Sequence, residues 1–442
     1  MRVLIIDPEP ETGVGALDLS MRARAHGHDV RFFLRETERN KHVGKGLINR
    51  VGGEVTRHID WADLIFNADN TKYIRDLSRA KASGKMVLSA NENTAQWELH
   101  RGTGMEVFKK AGIKVPDYKL FNKYDDAINY VKKEKRRFVS KPNNDADKSL
   151  SYCAKSPSDM VYMLERWKKM DKLKGDFFLQ EFQSGAEMAV GGWFGPGGFN
   201  TGFCENFEFK KLMNDDLGCA TGEMGTVLRY VQTSKLAEKV LLPIVPALEK
   251  EDYCGHIDVN CIIDEDGNPW PLEFTTRPGW PTFNIQTELH EGDPVEWMAA
   301  LAQGEDLKRF ILNKVAVGVV LAIPDFPYSH ATSKEVVGIP IYNATSSVWP
   351  HIHPCAMMMG MAPMEIEGEI VNAPCPCTAG DYIMIVTAHA DTVVEAREKV
   401  YRKIKRLEIP NNLMYRTDIG VRLRSQLLKL HPHGYAKGLF YK

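Results

Sequence analysis

Between Gly255 and Trp280 the chain gathers residue types that can hold a metal ion and phosphate groups. Two apolar-alternating runs are joined by Asp264-Glu265-Asp266-Gly267-Asn268-Pro269. That is turn chemistry, with glycine where a positive φ is easily adopted, so the stretch predicts a β-hairpin. Side chains alternate faces along a strand, which puts Asp258 and Asn260 on one face of the first strand and Glu273 and Thr275 on one face of the second. A hairpin brings the two polar faces together. Carboxylate, amide and hydroxyl oxygens gathered this way suit a hard divalent cation that also holds nucleotide phosphates. Arg277, just beyond, could clamp a carboxylate or phosphate through a two-pronged hydrogen bond. The same residues would also fit an exposed hairpin with merely solvated acids.

The elements that must carry this hairpin are legible in order. Arg2-Val3-Leu4-Ile5-Ile6 is a short apolar run of the buried parallel-strand kind, followed by a helical segment near Ala16 to Ala25. Further strands are expected at Asp29 to Phe33, Leu64 to Asn67 and Met86 to Leu88, with helical stretches between them, which predicts a parallel, doubly wound α/β sheet. Gly13-Val14-Gly15 lacks the spacing of a dinucleotide-binding turn, and no P-loop motif occurs. A helix is expected from about Glu92 to Lys110, stopped at Ala111-Gly112. Lys141 then ends an apolar strand, where its ammonium could meet phosphate oxygens.

At 442 residues the chain exceeds what one core supports, and two or three domains are expected. With 43% hydrophobic and 26% charged residues and a net charge of -1, nothing in the composition favours nucleic acid or an anionic membrane as partner. No apolar run approaches the roughly 20 residues of a membrane span, and the opening Met1 to Pro8 breaks too early for a signal peptide. The eight cysteines show no disulfide-rich spacing, which favours a reducing cytoplasm. Cys375-Pro376-Cys377 and His351-x-His353-x-Cys355 lack the paired spacing of structural zinc sites. The basic run Arg397 to Arg406 reads as a solvated helix face rather than a nucleic-acid surface.

Several ordered motifs resemble the phosphoribosylamine–glycine ligases of the ATP-grasp superfamily. Gln180-Glu181-Phe182-Gln183-Ser184-Gly185-Ala186-Glu187 stands where that family has Glu-Glu-Phe-Leu-x-Gly-Glu-Glu, and Glu208-Phe209-Lys210-Lys211 where it has Asp-His-Lys-Arg. Ala220-Thr221-Gly222-Glu223-Met224-Gly225 is similar to its Asn-Thr-Gly-Gly-Met-Gly loop, and Glu273-Phe274-Thr275-Thr276-Arg277-Pro278-Gly279 to its Glu-Phe-Asn-x-Arg-x-Gly. Val317 to Ala322 and Tyr415 to Arg422 match the opening and the last motif of the family's C-terminal domain. The resemblance implies an ATP-grasp fold: an N-terminal doubly wound domain over 1–95, two ATP lobes over 96–308 and a C-terminal α/β cap over 309–442. It implies an ATP-dependent carboxylate–amine ligase of purine biosynthesis, working through an acyl phosphate with glycine as donor, small-molecule partners, and magnesium or manganese beside ATP, as a monomer or homodimer.

Carried over residue by residue, the resemblance puts Lys141 on the α-phosphate, Gln180, Glu181, Phe182 and Gln183 along the adenine, Glu187 on the ribose, and Lys210 on the terminal phosphates. It makes Glu273 a metal ligand, with Thr275 in place of the family's asparagine and Asn260 or Asp258 completing the shell. Thr221, Gly222, Met224 and Gly225 would hold the small carboxylate, Arg277 would neutralise the transferring phosphoryl group, and Arg416, Asp418 and Arg422 would face the acceptor. The departures are local. The family's first glycine-rich turn reads Asp7-Pro8-Glu9-Pro10-Glu11-Thr12-Gly13, and its lid reads Asn143-Asn144-Asp145-Ala146-Asp147-Lys148-Ser149, leaving Lys148 as the phosphate contact there. An acidic turn is unfavourable for a phosphorylated acceptor. A ligase with another amine or amino acid, or a catalytically silent ATP-binding relative, are therefore the alternatives.

Overall fold

Each unbroken apolar run near the N-terminus becomes a strand of one parallel sheet in the computed structural model, which describes residues 1–9, 15–143, 151–172, 175–328, 335–410 and 413–442. Strands β1 (Arg2–Ile6), β2 (Asp29–Phe33), β3 (Arg50–Val51), β4 (Leu64–Asn67) and β5 (Met86–Leu88) lie in the order β3-β2-β1-β4-β5. The central strand buries Val3 to Ile6 completely, as a strand covered by helices on both faces must. Strand order reverses beside β1, so the carboxyl ends of β1 and β4 frame the crevice in which such sheets take ligands. Asp7 and Asn67 stand there. The acidic turn continues into residues 10–14, outside the described residues.

The helix expected over Glu92 to Lys110 is two helices, Glu92–Leu99 and Arg101–Lys110, with His100 extended between them (φ -118°, ψ 98°). Gly102 and Gly104 weaken a continuous helix. A Cβ on Gly104 would lie 2.4 Å from the Trp97 carbonyl, so the second helix can turn back there only on glycine. The break places Arg101 at the head of a helix instead of within one.

Two antiparallel sheets follow. Strands β6 (Tyr118–Phe121), β7 (Phe138–Pro142), β8 (Tyr152–Cys153) and β9 (Phe177–Glu181), ordered β6-β9-β7-β8, enclose a separate small core with Phe138, Leu164, Trp167 and Phe177. The larger sheet is built from β10 (Ala186–Gly195), β11 (Gly198–Phe199) and β12 (Phe203–Glu208), and resumes after a small hairpin, β13 (Lys211–Met213) and β14 (Leu217–Ala220), with β15 (Gly225–Val231), β16 (Gly255–Ile263) and β17 (Pro269–Thr275). It is completed by β18 (Val315–Ala322), β19 (Ile352–Pro354) and, after the ribbon β20 (Met357–Ile366) and β21 (Glu369–Thr378), by β22 (Tyr382–Ala390). The order is β17-β16-β10-β12-β15-β18-β22-β19, with β11 on β10. The chain crosses the border expected near residue 308, but the sheet does not stop there: β15 pairs with β18 from Gly225 against Val319 to Arg229 against Val315. An all-apolar run such as Val315 to Ala322, buried along its whole length, gains more within a sheet than at the edge of a separate cap.

The basic run lies on helix Val393–Ile404, which buries Val393, Ala396, Val400 and Ile404. Arg397, Lys399 and Lys403 donate to the carbonyls of Ile419, His389 and Thr387. All eight cysteines are free thiols. His351 bonds to Glu288 and His353 to Asp18, and among the described residues no group of three or more acidic, histidine or cysteine side chains is placed to hold a metal by itself. Among the described residues no helix is long and apolar enough to cross a membrane.

Candidate active site

The expected hairpin forms, with an irregularity between Asn260 and Cys261 that sets its register. Asp258 stands opposite Thr275 and Asn260 opposite Glu273, while Ala189 of β10 faces both Asn260 and Asn206. By strand alternation Glu187 and Glu208 point to the same face. One wall of the large sheet thus carries Glu187, Asn206, Glu208, Asp258, Asn260, Glu273 and Thr275. A Cβ on Gly191 would lie 2.5 Å from Asp258 Oδ2. Only glycine in that place lets the Asp258 carboxylate lie across β10 and accept a hydrogen bond from Asn206 Nδ2 at 2.8 Å.

Cations meet this wall from three sides. Lys210, just past β12, has its Nζ 2.9 Å from both Glu187 and Glu208. Glu208 also accepts from Asn260 Nδ2 at 2.8 Å. Arg101 donates Nη1 to Glu273 at 2.5 Å and Nε to the Pro142 carbonyl at 3.2 Å, tying the hairpin to the end of β7 in the small lobe. Lys141 comes from that same strand end. Lys210 and Glu273 keep 34% and 35% of their side-chain surface open, so they line a cleft rather than fill a core.

The electrostatics follow from this crowding. Burial pushes Glu273 up, but the charges of Arg101, Lys141 and Lys210 outweigh it and hold the carboxyl well below the usual range. Burial lowers Lys210, yet Glu187, Glu208 and Glu273 reverse the shift and keep it protonated. Lys141 is pushed down to about 8, first by burial and then by Arg101. Asp258 is pushed up to about 8 by burial and by the charge of Glu208, and burial also raises Glu208. Asn260 Oδ1, on a side chain 5% exposed, has no hydrogen-bond partner among the described residues. An orphaned amide oxygen between two carboxylates, one resisting ionisation for want of counter-charge, fits a hard divalent cation whose other ligands are phosphate and water.

Other expected residues fall elsewhere. Arg277 pairs with Glu98 at 3.1 Å and donates to the Pro278 carbonyl, and Arg101 is the arginine that sits on Glu273. Arg416 is 1% exposed and is spent within the protein, on Asp418 (2.8 and 2.7 Å), Asp216 (2.8 Å) and the Lys211 carbonyl (3.0 Å). Arg416 and Asp418 therefore clasp the β13–β14 hairpin. Of the three C-terminal residues only Arg422 reaches the acidic wall, donating to the Glu208 carbonyl with its guanidinium 4.1 Å from the Phe209 ring centre. In the Thr221 to Gly225 loop, Thr221 donates both its amide and its hydroxyl to the Lys210 carbonyl at 2.8 Å, and Met224 donates to that of Phe209 at 2.8 Å. The loop thus fixes Lys210, and these amides are taken. Gln180 and Glu181 end β9. The amides of Glu181 and Phe182 bond to the Asp117 and Arg137 carbonyls, and the Arg137 guanidinium lies 3.4 Å from the Phe182 ring centre. Lys148 lies outside the described residues.

Comparison with known proteins supports the fold. Residues 104–282 match the family model of the phosphoribosylglycinamide synthetase ATP-grasp (A) domain. The chain is 23% identical over 354 residues to phosphoribosylamine–glycine ligase of Halalkalibacterium halodurans, spanning 78% of each. Its fold superposes on the crystal structure of phosphoribosylamine–glycine ligase from Thermotoga maritima with a TM-score of 0.72 at 19% identity, covering 95% of this chain and 100% of that one. The biotin carboxylase domain of Hydrogenobacter thermophilus 2-oxoglutarate carboxylase, a complex with MgADP and bicarbonate, aligns with a TM-score of 0.61 at 13% identity over 100% of this chain and 96% of that one. The chain accordingly has the ATP-grasp fold, and its residues 104–282 are similar to the ATP-grasp domain of phosphoribosylglycinamide synthetase.

Proposed function

We propose that this protein is an ADP-forming carboxylate–amine ligase of the phosphoribosylamine–glycine ligase type. The observation that carries the reading is the clustering of Lys141, Lys210, Arg101 and Glu273 between two lobes, on the wall that also holds Asp258 and Asn260. A carboxylate is too electron-rich to be attacked by an amine; transfer of the ATP γ-phosphoryl group makes it an acyl phosphate and releases ADP, and the amine then attacks the acyl carbon and expels inorganic phosphate to leave the amide. Lys210 is placed to offset the charge gathering on the terminal phosphates, and Lys141 to hold the α-phosphate from the small lobe. Glu273, Asp258 and Asn260, with Thr275 or a water, would hold magnesium, which when bound supplies Lewis-acid stabilisation of the phosphoryl oxygens. Glu187 meets Lys210 before any ribose arrives and would exchange that ion pair for hydroxyls. With all eight cysteines as thiols, the reducing cytoplasm is the compartment we infer.

The reading is tested by incubating the protein with ATP, magnesium, glycine and candidate amines and following ADP release and amide mass. Failure to form an amide with any of them would leave only a nucleotide-binding role. The acceptor is addressed in the same assay by comparing phosphoribosylamine with unphosphorylated amines. The acidic crevice of Asp7, Glu9 and Asp69, where Glu9 pairs with Lys72, is the observation that favours the latter.

Two further outcomes are expected. Thr275→Asn should leave turnover equal or raise it, with less magnesium needed for half-maximal rate, because an amide carbonyl is a better ligand than a hydroxyl. A higher magnesium requirement would remove position 275 from the metal shell. For Lys141 the folded value of about 8 lies below its ordinary 10.5, so the cation is present below about pH 8 and lost above it. The kcat/KM for ATP should fall through that range, and Lys141→Arg should move the falling limb to above about pH 10. A limb unmoved by arginine would assign it to another group.

A further inference from the structure

Glu223 stands where the related loop pattern has glycine, and it is buried among aromatic rings. The side chain is 2% exposed, yet among the described residues it has no ion-pair partner, because Lys210 is already shared by Glu187 and Glu208. Its one recorded hydrogen bond comes from the Thr226 hydroxyl. Beside it, Gly222 lets the Trp280 indole approach: a Cβ there would lie 3.0 Å from the ring. The Trp280 and Tyr382 ring centres are 4.2 Å apart at 65°, and Phe326 closes on Tyr382 at 5.3 Å. Tyr382 is 5% exposed, its hydroxyl has no hydrogen-bond partner among the described residues, and it lies within electrostatic reach of Glu223. Burial and the charge of Glu208 push the Glu223 carboxyl well above its ordinary range, and an ammonium beside it would draw out its charge. Aromatic faces and a phenol oxygen beside it suit a cation bearing several N–H groups.

We propose that Glu223, Trp280 and Tyr382 seat the protonated primary amine of a substrate, so that this chain selects an ammonium compound at this corner of its site. The proposal rests on the ligase reading above and adds to it a determinant of specificity. The ammonium has two sources, an amino-acid donor or an amine acceptor, and the test separates them. The full-length protein, saturated with magnesium and a non-hydrolysable ATP analogue, is titrated calorimetrically with glycine as the amino-acid probe and ethanolamine as the amine probe. One of the two is expected to bind. Glu223→Gln, which keeps the shape and removes the charge, should weaken that probe about tenfold or more, Glu223→Asp should weaken it less, and nucleotide affinity should hardly move. Tyr382→Phe, which keeps the ring, should weaken the same probe several-fold. Unchanged affinity in both Glu223→Gln and Tyr382→Phe, or binding of neither probe by a parent protein that does take nucleotide, overturns the proposal. A parent protein that takes no nucleotide removes the ligase reading and this proposal with it.

Discussion

Alanine at position 273 is expected to reduce ATP turnover to background, a loss of about a thousandfold or more, since a metal site contributes several kcal/mol of transition-state charge stabilisation and each 1.4 kcal/mol is about tenfold. Glu273 does two things at once. It faces Asn260 across the hairpin as the carboxylate best placed to stay ionised, and it anchors Arg101, which reaches on to the Pro142 carbonyl beside Lys141. Removing it takes away an oxygen for the cation and leaves two positive groups facing each other without an anion. ADP release under saturating ATP and magnesium measures the effect, with Glu273→Gln separating lost charge from lost shape. Parent-like turnover in Glu273→Ala would show that the cation is held elsewhere.

Lys210→Met should be the second large effect, on activity and on stability together. Turnover is expected to fall by about a hundredfold to a thousandfold, as when a group poised for developing charge is removed. The stability loss comes from Glu187 and Glu208, which both lean on the one ammonium at 2.9 Å. Breaking a fully buried pair costs about 3–5 kcal/mol. Because Lys210 is 34% exposed, solvent screens part of this, and about 1–3 kcal/mol is expected. The sign of the pH dependence follows. Without Lys210 the two carboxyls have folded pKa values raised above their unfolded ones, so the penalty is full at high pH and relieved as protonation sets in on lowering the pH. The gap in thermal midpoint between variant and parent should therefore be wider at pH 8 than at pH 5. A gap that is constant with pH would mean that the lysine stabilises by packing and not by pairing.

The N-terminal sheet was legible because unbroken apolar runs between helical stretches admit few arrangements, and β1, β2, β4 and β5 lie where those runs stand. The hairpin was legible in part for the same local reason: its turn and its alternation put Asp258 and Asn260 on one face and Glu273 and Thr275 on another, but the register was decided by an irregularity between Asn260 and Cys261, without which the pairing of Ile263 with Pro269 would run on to set Asn260 opposite Leu272. The helix break at His100 was not, because two glycines lower helix propensity without saying whether tertiary contact will exploit it. Here the Trp97 carbonyl over Gly104 decides it. The fusion of the C-terminal strands into the large sheet was equally silent, since a buried apolar strand does not name its neighbours.

For the site, the sequence by itself determined which residue types share a face and which motifs the chain carries: Glu273, Asn260, Asp258, Glu187, Lys210 and Lys141. The tertiary structure alone decided which cation meets which acid. Arg277, two residues from Thr275 and the natural candidate from spacing, turns to Glu98, while Arg101, some 170 residues distant in sequence, takes Glu273. Likewise Arg416 is consumed by Asp216 and Asp418, and Glu223 lies buried without an ion-pair partner among the described residues. The physical reason is one of range. Alternation and turn chemistry act between neighbours along the chain, whereas ion pairing is set by which surfaces the packing of three sheets brings within a few ångströms.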